Sequence, residues 1–507
     1  MKEVPIKEAP MKEAKDRELI NLSVNREQLE KTARRARERN LVIPTLSQMK
    51  DPDSIPDGIK DKLRQTGLWD VDPVNLFRIT WKNQPIERGG LYNALPNYIE
   101  IPPELSGVKA RIFAMAGKFF PVGCHKVGAS FACLVPRLVT GQFDPAYHEA
   151  VWPSTGNYCR GGAYNSALLG CKSVAILPEN MSRERFEWLS GIAGEIIVTP
   201  GGESNVKEIY DKTWELRNTR DNAVILNQFG ELGNHLWHYE VTGGAMRDVF
   251  MAEAKAGDRF AGVCLTSGSG GTLGSGDYIK EQFPHAKIAA GEALQCPTLL
   301  NNGFGDHSIE GIGDKHVPWI HNVKNTDMVI AVDDRDALGF FRLVNEAAGL
   351  KFLRERGVSE ETAGKLPWIG ISGAANILCC VKFAKYYELT ENDIVMTVLT
   401  DSAEMYQSRL KEMEAARGRA YGEADAAFDL GRHALGVRTD AMEELTYAAK
   451  KRIHNLKYYT WVEQQGYSAA DLNAQWYDYD DYWGRLHKMG GELDKLIGEF
   501  NKLSDAM

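Results

Sequence analysis

"FAGVCLTSGSGGTLGSGDYIKEQF", residues 260–283, reads as an apolar strand, a glycine-rich turn and a helix. Gly268, Gly270 and Gly271 let the backbone turn tightly with its N–H groups exposed, and a helix expected from about Thr272 aims its positive dipole end at the same spot. Such a junction suits a phosphate. It lacks the Gly-Lys-Ser/Thr ending of a P-loop, and it lacks the G-x-G-x-x-G with an acid about 20 residues on that marks a dinucleotide fold. The strand before the turn has relatives along the chain: "KSVAILP" (172–178), "EIIVTPGG" (195–202), "KIAAGEA" (287–293), "DMVIAV" (327–332) and "DIVMTVLTD" (393–401). Stretches of helical pattern such as "SRERFEWLSGIAG" (182–194) separate them. Near-continuous apolar strands alternating with helices predict an α/β fold, with parallel or mixed sheets covered by helices on both faces.

This texture runs from about 76 to 410 and is expected to form a core of two α/β subdomains, the smaller around 120–245. Residues 1–75 are highly charged, helical in period around Leu19 to Leu41 and then turn-rich in "DPDSIPDGIK". They read as an extension packed on the core. After about 411 strand patterns vanish, and Leu486, Met489, Leu493, Leu496, Ile497, Phe500 and Leu503 fall at helical spacing, so 411–507 reads as a helical cap or an oligomer contact.

Composition excludes several classes. The 507 residues are 43% hydrophobic and 25% charged, with a formal net charge of −9 and a pI near 5.8. That argues against a nucleic-acid partner, which would call for a clustered basic surface; the basic run "RRARER" (34–39) is bracketed by acids. No stretch reaches the length of about 18 apolar residues needed to span a bilayer, and the N-terminus carries no signal pattern, so a cytoplasmic protein without membrane contact is expected. Eight cysteines without a C-x-x-C or a Cys/His cluster at ligand spacing suggest neither a disulfide framework nor a metal.

Two further loops join the glycine turn. "WPSTGNYCRGGAYNSALLG" (152–170) is a small-residue loop running into a helix, where Ser154, Thr155 and Asn157 offer hydroxyl and amide groups to a carboxylate and a ring oxygen. "GCHKVGASF" (123–131) sets Lys126 in a glycine-bounded, apolar turn. A desolvated lysine has a lowered pKa and becomes a nucleophilic amine able to form a Schiff base. With a phosphate beside it, the aldehyde that fits is pyridoxal phosphate.

The order and wording of these stretches, together with "IEGIGDKHVP", "WIGISGAANI" and "VLTDSAEMY", resemble the fold-type II pyridoxal phosphate enzymes. Within them the chain is most similar to cysteine synthase and cystathionine β-synthase, and its His-Lys pair also resembles tryptophan synthase β-subunits. The resemblance covers roughly 76 to 410. It implies that Lys126 carries the cofactor and takes the Cα proton of the bound amino acid, and that Asn157 meets the ring 3′-oxygen. By the same resemblance Gly268, Ser269, Gly270, Gly271 and Thr272 hold the phosphate, while Ser154, Thr155 and Gly156 hold the substrate carboxylate. Ser402 falls where the family sets a hydroxyl against the pyridine nitrogen, and alternation along the strand would turn its neighbour Asp401 away.

Departures bear on the substrate. Lys126 is followed directly by Val127, Gly128 and Ala129, one residue shorter than the usual pattern, and the loop asparagine is followed by Tyr158, Cys159 and Arg160 where cysteine synthases commonly carry threonine. Tyr158 and Arg160 are therefore expected at the substrate mouth. The resemblance implies β-elimination or β-replacement on a β-substituted amino acid, cysteine or an activated serine, through an aminoacrylate, in a homodimer acting on a small-molecule substrate. Dehydratase, racemase or thiolase chemistry at the same Cα, or a non-catalytic subunit of a complex, are the alternatives.

Overall fold

The computed structural model describes residues 19–313 and 315–504. The first 18 residues of the expected N-terminal extension lie outside the described residues, as does Asp314 of the "IEGIGDKHVP" motif. Eleven strands are described: β1 Tyr98–Ile101, β2 Arg111–Ala116, β3 Glu149–Pro153, β4 Lys172–Pro178, β5 Glu195–Thr199, β6 Ala223–Ile225, β7 Arg259–Thr266, β8 Lys287–Ala293, β9 Met328–Val332, β10 Asp393–Leu399 and β11 Met442–Glu444. They form two sheets. The larger has the order β1-β2-β10-β7-β8-β9-β11 and is parallel except at its two edges; the smaller, β5-β4-β3-β6, is parallel throughout.

The apolar runs become central strands because helices cover both faces. Every residue of β10 and of β9 is buried, and the helix Ile371–Tyr386 lies almost wholly in the core, its small residues Gly373, Ala374 and Ala375 allowing close approach to the sheet. Its one deep charge, Lys382, donates to the Ala331 carbonyl at 2.7 Å. That contact compensates the cost of burying an ammonium.

The tail departs from the expectation of helices alone. β11 pairs antiparallel with β9, Met442 opposite Ile330. Three residues of "MEE" carry no alternating pattern; the backbone edge of β9 makes the strand, not their side chains. The final helix Arg485–Leu503 does bury Leu486, Met489, Leu493, Ile497 and Phe500. It also holds the N-terminal segment, where the helix Arg26–Glu38 forms with Leu29, Ala33 and Ala36 inward. Asp494 accepts from Leu46 N–H (2.6 Å) and Ser47 N–H (3.0 Å) at the start of the helix Leu46–Lys50, and Asn501 pairs with both backbone groups of Ile43 at 3.0 and 2.8 Å. The two ends of the chain thus pack on each other as well as on the core. Among the described residues no single helix is long and apolar enough to cross a membrane.

Candidate active site

The cleft between the sheets is built from the ends of parallel strands. β7 runs into the glycine turn 268–272 and the helix Leu273–Gln282; β3 runs into the loop 154–156 and the helix Asn157–Leu169. Lys126 is the first residue of the helix Lys126–Val139, and the chain reaches it through left-handed backbone at Val122 and Gly123. Lys126 Nζ donates to Ser269 Oγ at 3.0 Å, which places the amine against the glycine turn. Burial lowers its pKa to about 8, so near neutrality a useful fraction is the free amine.

The glycine turn has the form of an anion cradle. Gly270 adopts φ 75°, and the N–H groups of Gly268, Ser269, Gly270 and Thr272 find no acceptor among the described residues. A Cβ on Gly271 would come within 2.1 Å of Asn234 Oδ1, and the Asn234 amide donates to Ser269 Oγ at 3.0 Å. The turn is therefore braced from behind while its amides stay open in front.

Lys126, Ser154, Thr155, Asn157, Tyr158 and Ser269 line one cavity, and Gly268, Gly270 and Thr272 join Lys126 and Ser269 in a second that adjoins it. Gly156 shapes the loop from behind: its φ is 151°, and a Cβ there would strike Arg185 Cδ at 2.6 Å. Asn157 Nδ2 donates one hydrogen to Asp401 Oδ2 at 2.7 Å. An amide nitrogen carries two, which leaves a second for a ring oxygen. Lysine, open amides and amide hydrogen together fit pyridoxal phosphate.

Arg160 and Ser402 lie elsewhere than expected. Arg160 does not reach the mouth; it is fully buried, donating to the Val122 carbonyl at 2.9 Å and to Asn157 Oδ1 at 3.4 Å, under the rings of Trp188 and Trp69. The helix Asn157–Leu169 begins at Asn157, so a residue three positions on falls under its first turn. There it props the asparagine. Ser402 is buried and lines neither cavity, whereas Thr400 lines both. β10 ends at Leu399, so alternation does not carry to 402. Asp401 turns into a buried network instead, accepting from Asn157 and from the Tyr406 hydroxyl, each at 2.7 Å. Burial raises its pKa, against the pull of Arg185.

Behind the carboxylate loop Arg185 donates to Glu310 Oε2 (2.6 Å), the Tyr406 hydroxyl (3.0 Å) and the Thr155 carbonyl (3.3 Å). Glu203, also in the cavity wall, accepts from Thr155 Oγ1, and its Oε2 has no partner among the described residues. Burial pushes its carboxyl up to about 8, so it is largely protonated at neutral pH. In the sequence Glu203 follows directly on "TPGG", in the loop between β5 and the helix Val206–Thr219, and that position was its available signal. Arg185, Asn234 and Thr400 gave none, since their roles depend on distant partners.

The family model for "Pyridoxal-phosphate dependent enzyme" matches residues 102–401. The chain belongs to that family. Among curated relatives it is similar to cystathionine beta-synthase of Saccharomyces cerevisiae, 26% identical over 62% of this chain and 60% of that one. It is also similar to cysteine synthase of Staphylococcus aureus, 32% identical over 57% and 84%. Solved structures share its fold. The cysteine synthase of Entamoeba histolytica superposes with a TM-score of 0.54 at 22% identity, covering 67% of this chain and 93% of that one. A hydrogen sulfide-producing enzyme of Fusobacterium nucleatum gives 0.52 at 25%, covering 66% and 92%. The family match leaves out both ends of the chain, the segments that pack on each other.

Proposed function

We propose that this chain acts at the β-carbon of a β-substituted amino acid, cysteine or an activated serine, by β-elimination or β-replacement. The reading rests on one observation above others: a lysine with its amine lowered to about 8 stands against an open amide cradle, inside a pyridoxal-phosphate family whose similar members are named cysteine synthase and cystathionine beta-synthase. Bound pyridoxal phosphate supplies the electron withdrawal that makes the Cα proton of an attached amino acid acidic. The open amides of Gly268, Ser269, Gly270 and Thr272, with Asn157, would hold it; Gly271, expected among them, lines neither cavity, packs on Asn234 behind the turn and turns its N–H to Ser269 Oγ. Lys126, as the free amine, takes the Cα proton. Ser154 and Thr155 would orient the substrate carboxylate; Tyr158, expected at the mouth, is instead a buried part of the cavity wall with its ring against Trp152. Glu203 in its protonated form offers a hydrogen to the same end of the substrate. Thr400, which lines both cavities, would offer the ring nitrogen a neutral hydroxyl, while Asp401 is already engaged by Asn157 and Tyr406. A neutral hydroxyl at that nitrogen would leave it unprotonated and the ring a weaker electron sink, which suits loss of a β-substituent better than transamination. We place the enzyme in the cytoplasm as a homodimer; eight free thiols suit a reducing compartment.

The test is product analysis. The purified holoenzyme is given cysteine or O-acetylserine, with and without an added thiol, and sulfide, pyruvate and new thioether amino acids are quantified. Elimination from cysteine consumes one water and yields sulfide, pyruvate and ammonium in equal amounts; replacement by the added thiol releases the same sulfide (acetate from O-acetylserine) but yields the thioether amino acid in place of pyruvate and ammonium. Either should vanish in Lys126→Ala. Exchange of the α-proton without any β-product, from an enzyme carrying its full complement of cofactor, would sink the reading.

A further inference from the structure

Three buried side chains from distant parts of the chain converge behind the cradle. His235 lies in the helix Leu232–Trp237, Asp277 in the helix that follows the glycine turn, and His487 in the final helix of the tail. His235 Nε2 and His487 Nε2 are 3.2 Å apart, and Asp277 Oδ2 is 3.5 and 3.7 Å from them. None of the three lines the cofactor cavities.

The protons can be assigned from the outer partners. His235 Nδ1 is 3.2 Å from the carbonyl oxygen of Ile320, which can only accept, so Nδ1 carries the hydrogen and Nε2 presents a lone pair. His487 Nδ1 is 3.1 Å from Glu281 Oε1, a carboxylate whose other oxygen takes the Tyr239 hydroxyl at 2.6 Å. Here too Nδ1–H donates outward and Nε2 faces inward. Asp277 Oδ2 adds a third electron pair. Two imidazole lone pairs and a carboxylate oxygen, the last with Asn322 as its neutral donor, meet in a buried space, and a positive charge between them offsets their mutual repulsion.

A proton can bridge two of the three atoms; a metal cation can bind all of them. The separations of 3.2, 3.5 and 3.7 Å enclose a point about 2 Å from each atom, the length of zinc–nitrogen and zinc–oxygen bonds. The surroundings are also those of metal ligands, whose second imidazole nitrogen usually donates to a carbonyl or a carboxylate. Asn322 and Asn325 donate to the two oxygens of Asp277 at 2.8 and 2.7 Å, and Tyr239 stacks on the His487 ring at 3.8 Å. We propose that His235, Asp277 and His487 form a structural site for a divalent transition cation of zinc's size and ligand preference, fastening the tail helix to the cradle helix. Sequence spacing gave no hint of it, because the ligands are 42 and 210 residues apart and form no local motif. The site bears on the cofactor indirectly. His235 is the neighbour of Asn234, whose amide braces Ser269.

The holoenzyme is produced in medium supplemented with zinc, and in parallel with cobalt, then dialysed against a chelator and assayed for metal per chain. One equivalent is expected in the wild type, with visible cobalt d–d bands of nitrogen and oxygen ligation. His487→Gln and Asp277→Asn should lower the content by at least about tenfold and abolish the bands. Should the variants fail to fold, the wild-type stoichiometry and cobalt spectrum decide alone. Wild-type enzyme without stoichiometric metal, or variants that retain it with unchanged bands, would overturn the site and leave a proton shared by two histidines.

Discussion

Glu203 shows how one buried carboxyl ties the site to pH. Its ordinary value is near 4.5, and burial raises it to about 8 although Arg185 pulls the other way. A raised acid holds its proton more tightly in the folded chain than in the unfolded one. Between about 4.5 and 8 the folded state therefore binds the extra proton, and stability falls as pH rises through that window, by at most about 1.4 kcal/mol per pH unit. Above about 8 the full penalty of a buried carboxylate is present, and below about 4.5 there is none. Glu203→Gln keeps the acceptor for Thr155 Oγ1 and removes the titration. The variant should match wild type in urea denaturation of the apo-protein at pH 4 and exceed it by a few kcal/mol at pH 9. Equal stability at both pH values would mean the carboxyl titrates normally. Arg160 belongs to the same scale. A guanidinium expected at the substrate mouth instead holds Asn157 from beneath, so its influence on chemistry passes through the asparagine.

The glycine turn with its helix is the element on which cofactor binding depends, and Gly271 is where it has no slack. An alanine there would bring Cβ to 2.1 Å from Asn234 Oδ1. The Asn234 side chain must then swing away and give up its bond to Ser269 Oγ, loosening the cradle without touching the sheet. Gly271→Ala should weaken pyridoxal phosphate binding by about tenfold or more, from the loss of one braced hydrogen bond and displaced amides, while the far-ultraviolet circular dichroism stays unchanged. Unaltered affinity in a cofactor titration would show that Asn234 relaxes freely. At this scale the sequence is most legible. The glycine turn, the loop around Asn157 and the lysine turn are each continuous segments whose conformation follows from their own residues. Legibility ends where a side chain's direction is set across space. Ser402, expected to face the ring, is buried away from both cavities and Thr400 lines them, because β10 stops at Leu399 and the residues beyond it follow the buried Asp401–Tyr406 contact instead of strand alternation. β11 was invisible for a related reason: a three-residue edge strand is specified by the β9 backbone it meets.

Across the whole molecule, the two ends that the family match leaves out are joined to each other. Ile43 is fully buried, and both of its backbone groups are satisfied by one side chain, Asn501, near the end of the final helix. Periodicity could announce the apolar stripe of that helix but not its partner, since the contact joins residues 458 positions apart. Replacing Asn501 with alanine strands a buried N–H and a buried carbonyl, each costing about 1–3 kcal/mol if water cannot reach it. The loss falls on the N-terminal segment, whose Leu29, Leu41, Ile43 and Leu46 share one core cluster with Leu493, Ile497 and Phe500 of the tail helix. Asn501→Ala should therefore lose about 2 kcal/mol or more of stability against urea. In limited proteolysis its first cleavage should fall within residues 19–50, at a stage when the protein still binds its cofactor. If cleavage begins instead in the loops around the cavity, or if cofactor binding is lost first, the N-terminal segment is not a separately held layer and the tail supports the catalytic core directly.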